Sequence, residues 1–267
     1  MGTHKAISAT ESALYKFATT VHRSVAIEIS VQGVNWTSNI NGQDIYPAAS
    51  LLKIPLALAT EHMMAKGELD PEMRVSIKTL CENKNQNSIL TAFTHTKFIT
   101  VAEVLRFTLI SSDEQCARYL RQIVPNELIK KVIAEASCES TIFSNELDLF
   151  SIDGMTTTLD ALRLISCATD QLKYPHCSFS LKSSILNSRI PVGVDPTKYE
   201  IFHKTGTLKG VANDVAHINT DQGFIRIAFL TKNQEDLIIS GYEMGLCVRL
   251  ILDAWSITPT RIVGFLR

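Results

Sequence analysis

A chain of 267 residues is long enough for one large domain or two modest lobes around a real core. Hydrophobic residues make up 45% and charged residues 20%, with 12 Gly and 8 Pro, which excludes collagen-like, low-complexity and broadly disordered classes. The 26 Lys and Arg against 27 Asp and Glu leave a formal charge of -1, so no global field draws in nucleic acid or anionic lipid, and neither is expected as a partner.

Met1 to Ile7 lack the apolar stretch and small-residue cleavage site of an export signal, so the chain as it stands is expected to be cytoplasmic, or periplasmic or secreted if a signal has been removed. Ser8 to Thr20 then carries Ala13, Leu14, Phe17 and Ala18 at helical spacing. Val25 to Val31 alternates, Gln32-Gly33 turns, and Val34 to Thr37 continues, which predicts a hairpin. Ser50 is placed to cap a helix over Leu51 to Lys66, with Gly67 as its stop and Pro55 early enough that its missing donor costs little. The apolar run in that helix, Ile54 to Ala59, is far shorter than the roughly 20 residues of a membrane span, and none is expected.

Thr100 and Glu103 make a capping box for a helix through Leu109, and Ser112 or Asp113 caps the next through Ile123. Pro125 to Ala136 reads as another helix, and Thr157 caps one ending near Leu172. From about Ile190 the texture returns to strands at Phe202 to Leu208, Asp214 to Asn219 and Phe224 to Thr231. The last two are joined by a turn at Thr220 to Gly223, and Leu237 to Trp255 closes the chain as an apolar-periodic helix. Strands at both ends with helices between them make one antiparallel five-stranded sheet the economical topology, with the helical block inserted as a second lobe. The expected class is α/β, in the α+β sense: residues 1–46 and 191–267 form the sheet lobe, 47–190 an all-helical lobe, and the active site lies between them.

Cys81, Cys116, Cys138, Cys167, Cys177 and Cys247 contain no C-x-x-C and no zinc spacing with histidine, so free and mostly buried thiols are expected, with no metal and no cofactor. Ser50-Leu-Leu-Lys53 places a hydroxyl and an amine three residues apart on one helical face. A serine needs a base to become a nucleophile, and a buried lysine near another cation can be neutral enough to serve. Alone the motif is weak. Ser112-Asp113 follows the apolar helix ending near Ile110, and Lys204-Thr-Gly-Thr207 lies on an expected strand, and the three together in this order are much rarer.

With these residues the chain resembles the class A β-lactamase and penicillin-recognising serine hydrolase superfamily, from about Val25 to Trp255. Tyr46 to Pro55 is similar to the stretch around that family's nucleophile, Leu109 to Glu114 to its second motif, and His203 to Thr207 to its third. The resemblance implies a β-lactamase/transpeptidase-like fold and an acyl-enzyme on Ser50, with Lys53 as its activating partner. Ser112 would pass a proton to the leaving nitrogen. Lys204, with Thr205, Gly206 and Thr207, would hold a substrate carboxylate, and the backbone N–H groups of Ser50 and Thr207 would form the oxyanion hole. The partner implied is a small-molecule substrate, a β-lactam or peptide-like amide, and a monomer is expected.

Three positions depart from the family's pattern. Glu114 stands where the family usually has an asparagine that donates to the substrate's acylamide carbonyl, and an ionised carboxylate cannot donate. It could accept from an amine, position a water, or be a solvated residue of the first helical turn. Glu146, in Glu146-Leu-Asp-Leu-Phe150, is the local candidate for the glutamate that activates the deacylating water, but Phe150 replaces an asparagine and the loop is short. Val211-Ala-Asn-Asp214 lacks the arginine that reinforces the carboxylate site, with Lys209 as a nearby substitute and Asn213 as a turn or strand-end residue. His203 is expected to be structural, facing away from Lys204. These departures keep open an amidase, esterase, peptidase or acyltransferase on a non-β-lactam substrate, and a penicillin-binding sensor with slow deacylation.

Overall fold

A computed structural model describes residues 2–82, 88–143 and 153–255. Helix α1 (Thr3–Ala18) starts before Ser8. Its buried stripe runs Ala6, Thr10, Ala13, Leu14, Phe17, and the polar Thr10 hides the early part from a reading by hydrophobicity. The Thr10 hydroxyl is satisfied in place, donating to Ala6 O at 2.8 Å and accepting from Trp255 Nε1 at 3.0 Å.

Strands β1 (Arg23–Val31) and β2 (Val34–Ile40) form the expected hairpin, turning at Gln32 and Gly33 with φ of 54° and 77°. Positive φ at both turn residues matches the twist of the flanking strands. The C-terminal strands β3 (Glu200–Leu208), β4 (Val211–Thr220) and β5 (Gly223–Thr231) complete an antiparallel five-stranded sheet in the order β2-β1-β5-β4-β3. β1 and β5 pair from Arg23 opposite Thr231 to Val31 opposite Gly223, so the two ends of the chain meet at the centre of the sheet. This is the fold class the pattern of elements indicates, a mixed α/β architecture.

Alternation along the strands divides the core in two. Val25, Ile27, Ile29, Ala216, Ile218 and Phe229 pack against α1 and helix α8 (Leu237–Ala254) on one face. Ala26, Phe202, Val215, Ala228 and Leu230 face the helical block on the other. With both faces covered, β1 and β4 are buried almost throughout.

The helical block is built around α2 (Lys53–Ala65), in which every residue from Lys53 to Glu61 is buried. A helix buried on all sides is central, not amphipathic. Around it stand α3 (Val101–Ile110), α4 (Glu114–Ile123), α5 (Asn126–Glu135) and α6 (Thr158–Ala168). The Thr100–Glu103 capping box forms, and Asp113, not Ser112, caps α4 by accepting from Cys116 N at 3.0 Å. α6 ends four residues before Leu172, and α7 (Pro175–Lys182) follows without having been expected. The carboxylate of Glu61 on α2 creates its start, accepting from His176 N and Cys177 N at 2.7 and 2.9 Å, a signal that lies far away in sequence.

Ser50 does not cap α2. It lies inside a 3-10 turn (Ala49–Leu52) that leads into the helix, and Pro55 falls in the first turn, where its missing N–H leaves no bond unmade. All six cysteines are unpaired: Cys116, Cys177 and Cys247 are buried and the other three half-buried. No described helix is long and apolar enough to cross a membrane.

Strand β3 lies against the turn that carries Ser50, and Gly206 allows it. A Cβ at Gly206 would sit 2.9 Å from Ala48 O and 3.2 Å from the Ala49 Cβ. The nearer neighbour is backbone and cannot rotate away, so a methyl group there must move the strand. Gly206→Ala is therefore expected to cost about 1–3 kcal/mol in a urea melt, the usual range for overpacking.

Candidate active site

The turn that presents Ser50 is strained and clamped. Ala49 has φ of 51°, in the left-handed region that a residue with a Cβ rarely occupies. Surrounding bonds hold it there. Ala48 N donates to Gly154 O at 2.9 Å, and Asn213 Nδ2 donates to Pro47 O at 2.8 Å and to Ala48 O at 3.4 Å. The other end of the Asn213 amide accepts from Thr231 N at 2.9 Å. Asn213 is thus neither a turn nor a strand-end residue: fully buried in β4, it ties the serine's turn to the centre of the sheet. The half-buried Ser50 hydroxyl has no hydrogen-bond partner among the described residues.

Between α3 and α4, Ser112 also adopts a left-handed φ, 56°. Asp113 pins this junction. Its Oδ1 caps α4, and its Oδ2 accepts from Ser88 Oγ at 2.7 Å and Ile89 N at 2.9 Å. The result turns the Ser112 hydroxyl toward two buried lysines. Lys53 Nζ donates to Ser112 Oγ at 3.1 Å and to Ser112 O at 2.7 Å. Lys204 Nζ donates to the same Oγ at 2.9 Å and to Thr205 O at 2.9 Å. The motif residues Lys53, Ser112 and Lys204, from three separate regions of the chain, therefore share one hydrogen-bonded cluster.

Burial dominates the electrostatics. Lys53 is fully buried and its pKa falls below the ordinary lysine value, chiefly by desolvation, although the neighbouring carboxylates of Glu114 and Asp113 pull it back up. Lys204 falls further: desolvation is again the main cause and the Lys53 charge adds to it, with Asp214 and Glu114 opposing.

Glu114 is the counter-charge. Its Oε1 forms an ion pair and hydrogen bond with Lys53 Nζ, so it is not a merely solvated residue of the helical turn. Its side chain is nevertheless 39% exposed. Thr205 is buried, Gly206 lies against Ala48, and Thr207 is exposed on the same strand. Glu146 lies outside the described residues.

Sequence reasoning missed Arg189. Its guanidinium is almost fully buried and donates through Nη1 to Gly206 O at 2.9 Å and to Asn213 O, and through Nη2 to Thr207 Oγ1. It therefore brings a cation to the strand where the Val211–Asp214 sequence supplies none. Lys209, the substitute the sequence offered, is an exposed residue of the β3–β4 turn. Asp214 anchors the Arg189 segment by accepting from Ile190 N at 3.0 Å, and also meets His203 Nδ1 at 3.2 Å. His203 Nε2 meets Asn187 Oδ1 at 3.0 Å, a structural bridge between β3 and that segment. No local pattern around Arg189 marks it, because its partners are backbone carbonyls brought near by the sheet. Among the described residues, no group of three or more His, Cys, Asp and Glu gathers to hold a metal ion.

The family model described as the Beta-lactamase enzyme family matches residues 17–245. Among solved structures, the chain is similar to the β-lactamase from Sphaerobacter thermophilus DSM 20745, with 22% identity, 94% of this chain and 98% of that one covered, and a TM-score of 0.79. It is also similar to a representative class A β-lactamase from Bacteroides cellulosilyticus DSM 14838, with 17% identity, coverage of 94% and 98%, and a TM-score of 0.76. PBP-A matches at 15% identity, coverage of 93% and 96%, and a TM-score of 0.77. No curated protein matches the chain.

Because Arg189 serves the carbonyls of Gly206 and Asn213 together with a side-chain hydroxyl, Arg189→Met is expected to lower stability by about 2–4 kcal/mol in chemical denaturation. Arg189→Lys should recover only part of that loss, since an ammonium cannot reproduce the planar fork.

Proposed function

The chain belongs to the β-lactamase enzyme family, and from that membership and the site's geometry we propose that it is a serine hydrolase of the class A type, opening a β-lactam or related amide through an acyl-Ser50 intermediate. One observation carries the reading: Lys53 and Lys204 both donate to the Ser112 hydroxyl, beside the turn that presents Ser50. In this reading the cleft lies between the block of residues 47–190 and a sheet lobe formed by the two ends of the chain. The block is not all-helical as expected, because backbone pairing of Arg74–Ser76 with Phe98–Thr100 and of Ile142–Phe143 with Gly154–Thr156 adds short antiparallel strands to it.

In the proposed reaction the neutral amine of Lys53 takes the Ser50 proton as Oγ attacks the substrate carbonyl. Desolvation favours that neutral amine. The backbone N–H groups of Ser50 and Thr207 receive the oxyanion. When the C–N bond breaks, Ser112 gives its proton to the leaving nitrogen and is reprotonated from the Lys53 ammonium 3.1 Å away. Lys204, with Thr205, Gly206 and Thr207, holds the substrate carboxylate, and Arg189 reinforces it through the Thr207 hydroxyl it contacts. Hydrolysis of the acyl-enzyme then needs a water activated by Glu146, on its sequence spacing, or by Lys53. Glu114 supports a second reading within the same chemistry: a carboxylate where an amide donor is usual favours a non-β-lactam amide, ester or peptide.

Time-resolved intact mass after mixing with a penicillin and a cephalosporin tests the proposal. An adduct on the wild type that disappears as hydrolysed drug accumulates, and is absent from Ser50→Ala, is the expected result. A persistent adduct would indicate a penicillin-binding sensor, and no adduct would reject the β-lactam substrate.

The pH dependence tests the base. Lys53 is surrounded by Glu114, Asp113 and Cys116, which raise its pKa, and it lies in the same hydrogen-bonded cluster as Lys204. Removing the Glu114 charge removes a stabiliser of the ammonium, so the Lys53 pKa falls further and the free amine persists to lower pH. Glu114→Gln should therefore move the acid limb of kcat/KM for acylation to lower pH. An unmoved limb would assign the base to another group.

A further inference from the structure

The two oxygens of the Glu114 carboxylate face different surroundings. Oε1 is taken by Lys53, whereas Oε2 has no hydrogen-bond partner among the described residues and is not among the sealed, unsatisfied atoms of the interior. The side chain is 39% exposed although its partner Lys53 is fully buried. Glu114 thus stands at the boundary of the Lys53–Ser112–Lys204 cluster, with one oxygen committed to Lys53 and the side chain partly exposed.

The opposite wall carries hydrogen-bond donors, among them the Arg189 guanidinium. Lys204 and Arg189 lie on the β3 side, and the Thr207 hydroxyl is exposed next to the guanidinium that contacts it. A substrate lying between β3 and the α3–α4 junction meets the Lys204 amine, the Arg189 guanidinium and a hydroxyl at one end and a carboxylate oxygen at the other. A carboxylate oxygen accepts hydrogen bonds and repels other acceptors, so it discriminates by attraction and by exclusion at once.

We infer that the cleft selects a dipolar substrate, an amide whose leaving side carries a carboxylate for the Lys204, Thr207 and Arg189 wall and whose acyl side carries a protonated amine for Glu114 Oε2. The inference rests on the proposed acyl-Ser50 chemistry and names its substrate class. Glu114 acts as a specificity residue by direct contact. A substrate presenting only a carbonyl oxygen at this point loses a hydrogen bond and faces a negative charge.

A matched pair of probes tests this: benzylpenicillin and ampicillin, which differ by the α-amino group on the acyl side chain. The rate of acyl-Ser50 formation, followed by intact mass, should be at least about tenfold higher for ampicillin on the wild type, the worth of one charge-assisted contact. In Glu114→Asn and Glu114→Gln, whose amides donate, the ratio should fall to about one or below. N-acetylated ampicillin should lose the advantage on the unmodified protein, a comparison that stands even if neither variant folds. A wild-type ratio near one, or a preference that survives both substitutions, would overturn the inference. No adduct from either penicillin would instead overturn the proposed β-lactam chemistry and the inference with it.

Discussion

Two buried lysine side chains donating to one serine hydroxyl set the terms for the rest of the molecule. Burying a lysine is costly, and burying two beside each other costs more, because each opposes the charge of the other. The protein offsets this with polar partners on every side: Ser112 O and Thr205 O accept from the lysines, and Glu114 supplies a negative charge at Lys53. A buried ion pair of this kind is weak evidence of stability. Its meaning lies in function, since nothing about packing α2 against its neighbours requires a lysine at its first position.

Bringing that cluster together dictates backbone geometry in three places. Ala49 and Ser112 sit at left-handed φ, strain that the surrounding bonds sustain, and β3 approaches the Ser50 turn so closely that only glycine fits at position 206. Asn213, Asp113 and Arg189 provide the restraint. Each is almost fully buried, and each joins segments distant in sequence: Asn213 the serine's turn to β4 and β5, Asp113 the α4 cap to Ser88 and Ile89, Arg189 the loop before β3 to β3 and β4. The sheet is rigid enough for this work because helices cover it on both faces.

Local patterns made much of this legible. The Thr100–Glu103 box, the Gln32-Gly33 and Thr220–Gly223 turns and the strand-like C-terminal segments are short-range signals, and each corresponds to an observed element. The motif residues Ser50, Lys53, Ser112 and Lys204 were recognisable because spacing and order carry their chemistry. What escaped depended on distant partners. Helix α7 starts on the Glu61 carboxylate, α1 extends through a Thr10 whose polarity is satisfied by Trp255, and Arg189 meets carbonyls that only the folded sheet places beside it. Asn213 read as a turn residue because asparagine favours turns, but here its amide serves two backbone segments at once. Glu114 was open to three readings because its partner, Lys53, lies across the cluster on another helix.

The Lys53–Glu114 pair joins the proton chemistry of the site to its choice of substrate, and its strength is the quantity on which the account turns. A double-mutant cycle of Lys53→Met and Glu114→Ala, measured by urea denaturation, isolates it. The account predicts a favourable coupling of about 1–2 kcal/mol, below that of a fully enclosed pair because Glu114 is 39% exposed. Losses that add to within about 0.3 kcal/mol would contradict it, because Glu114 would then not be the counter-charge that holds Lys53 in place.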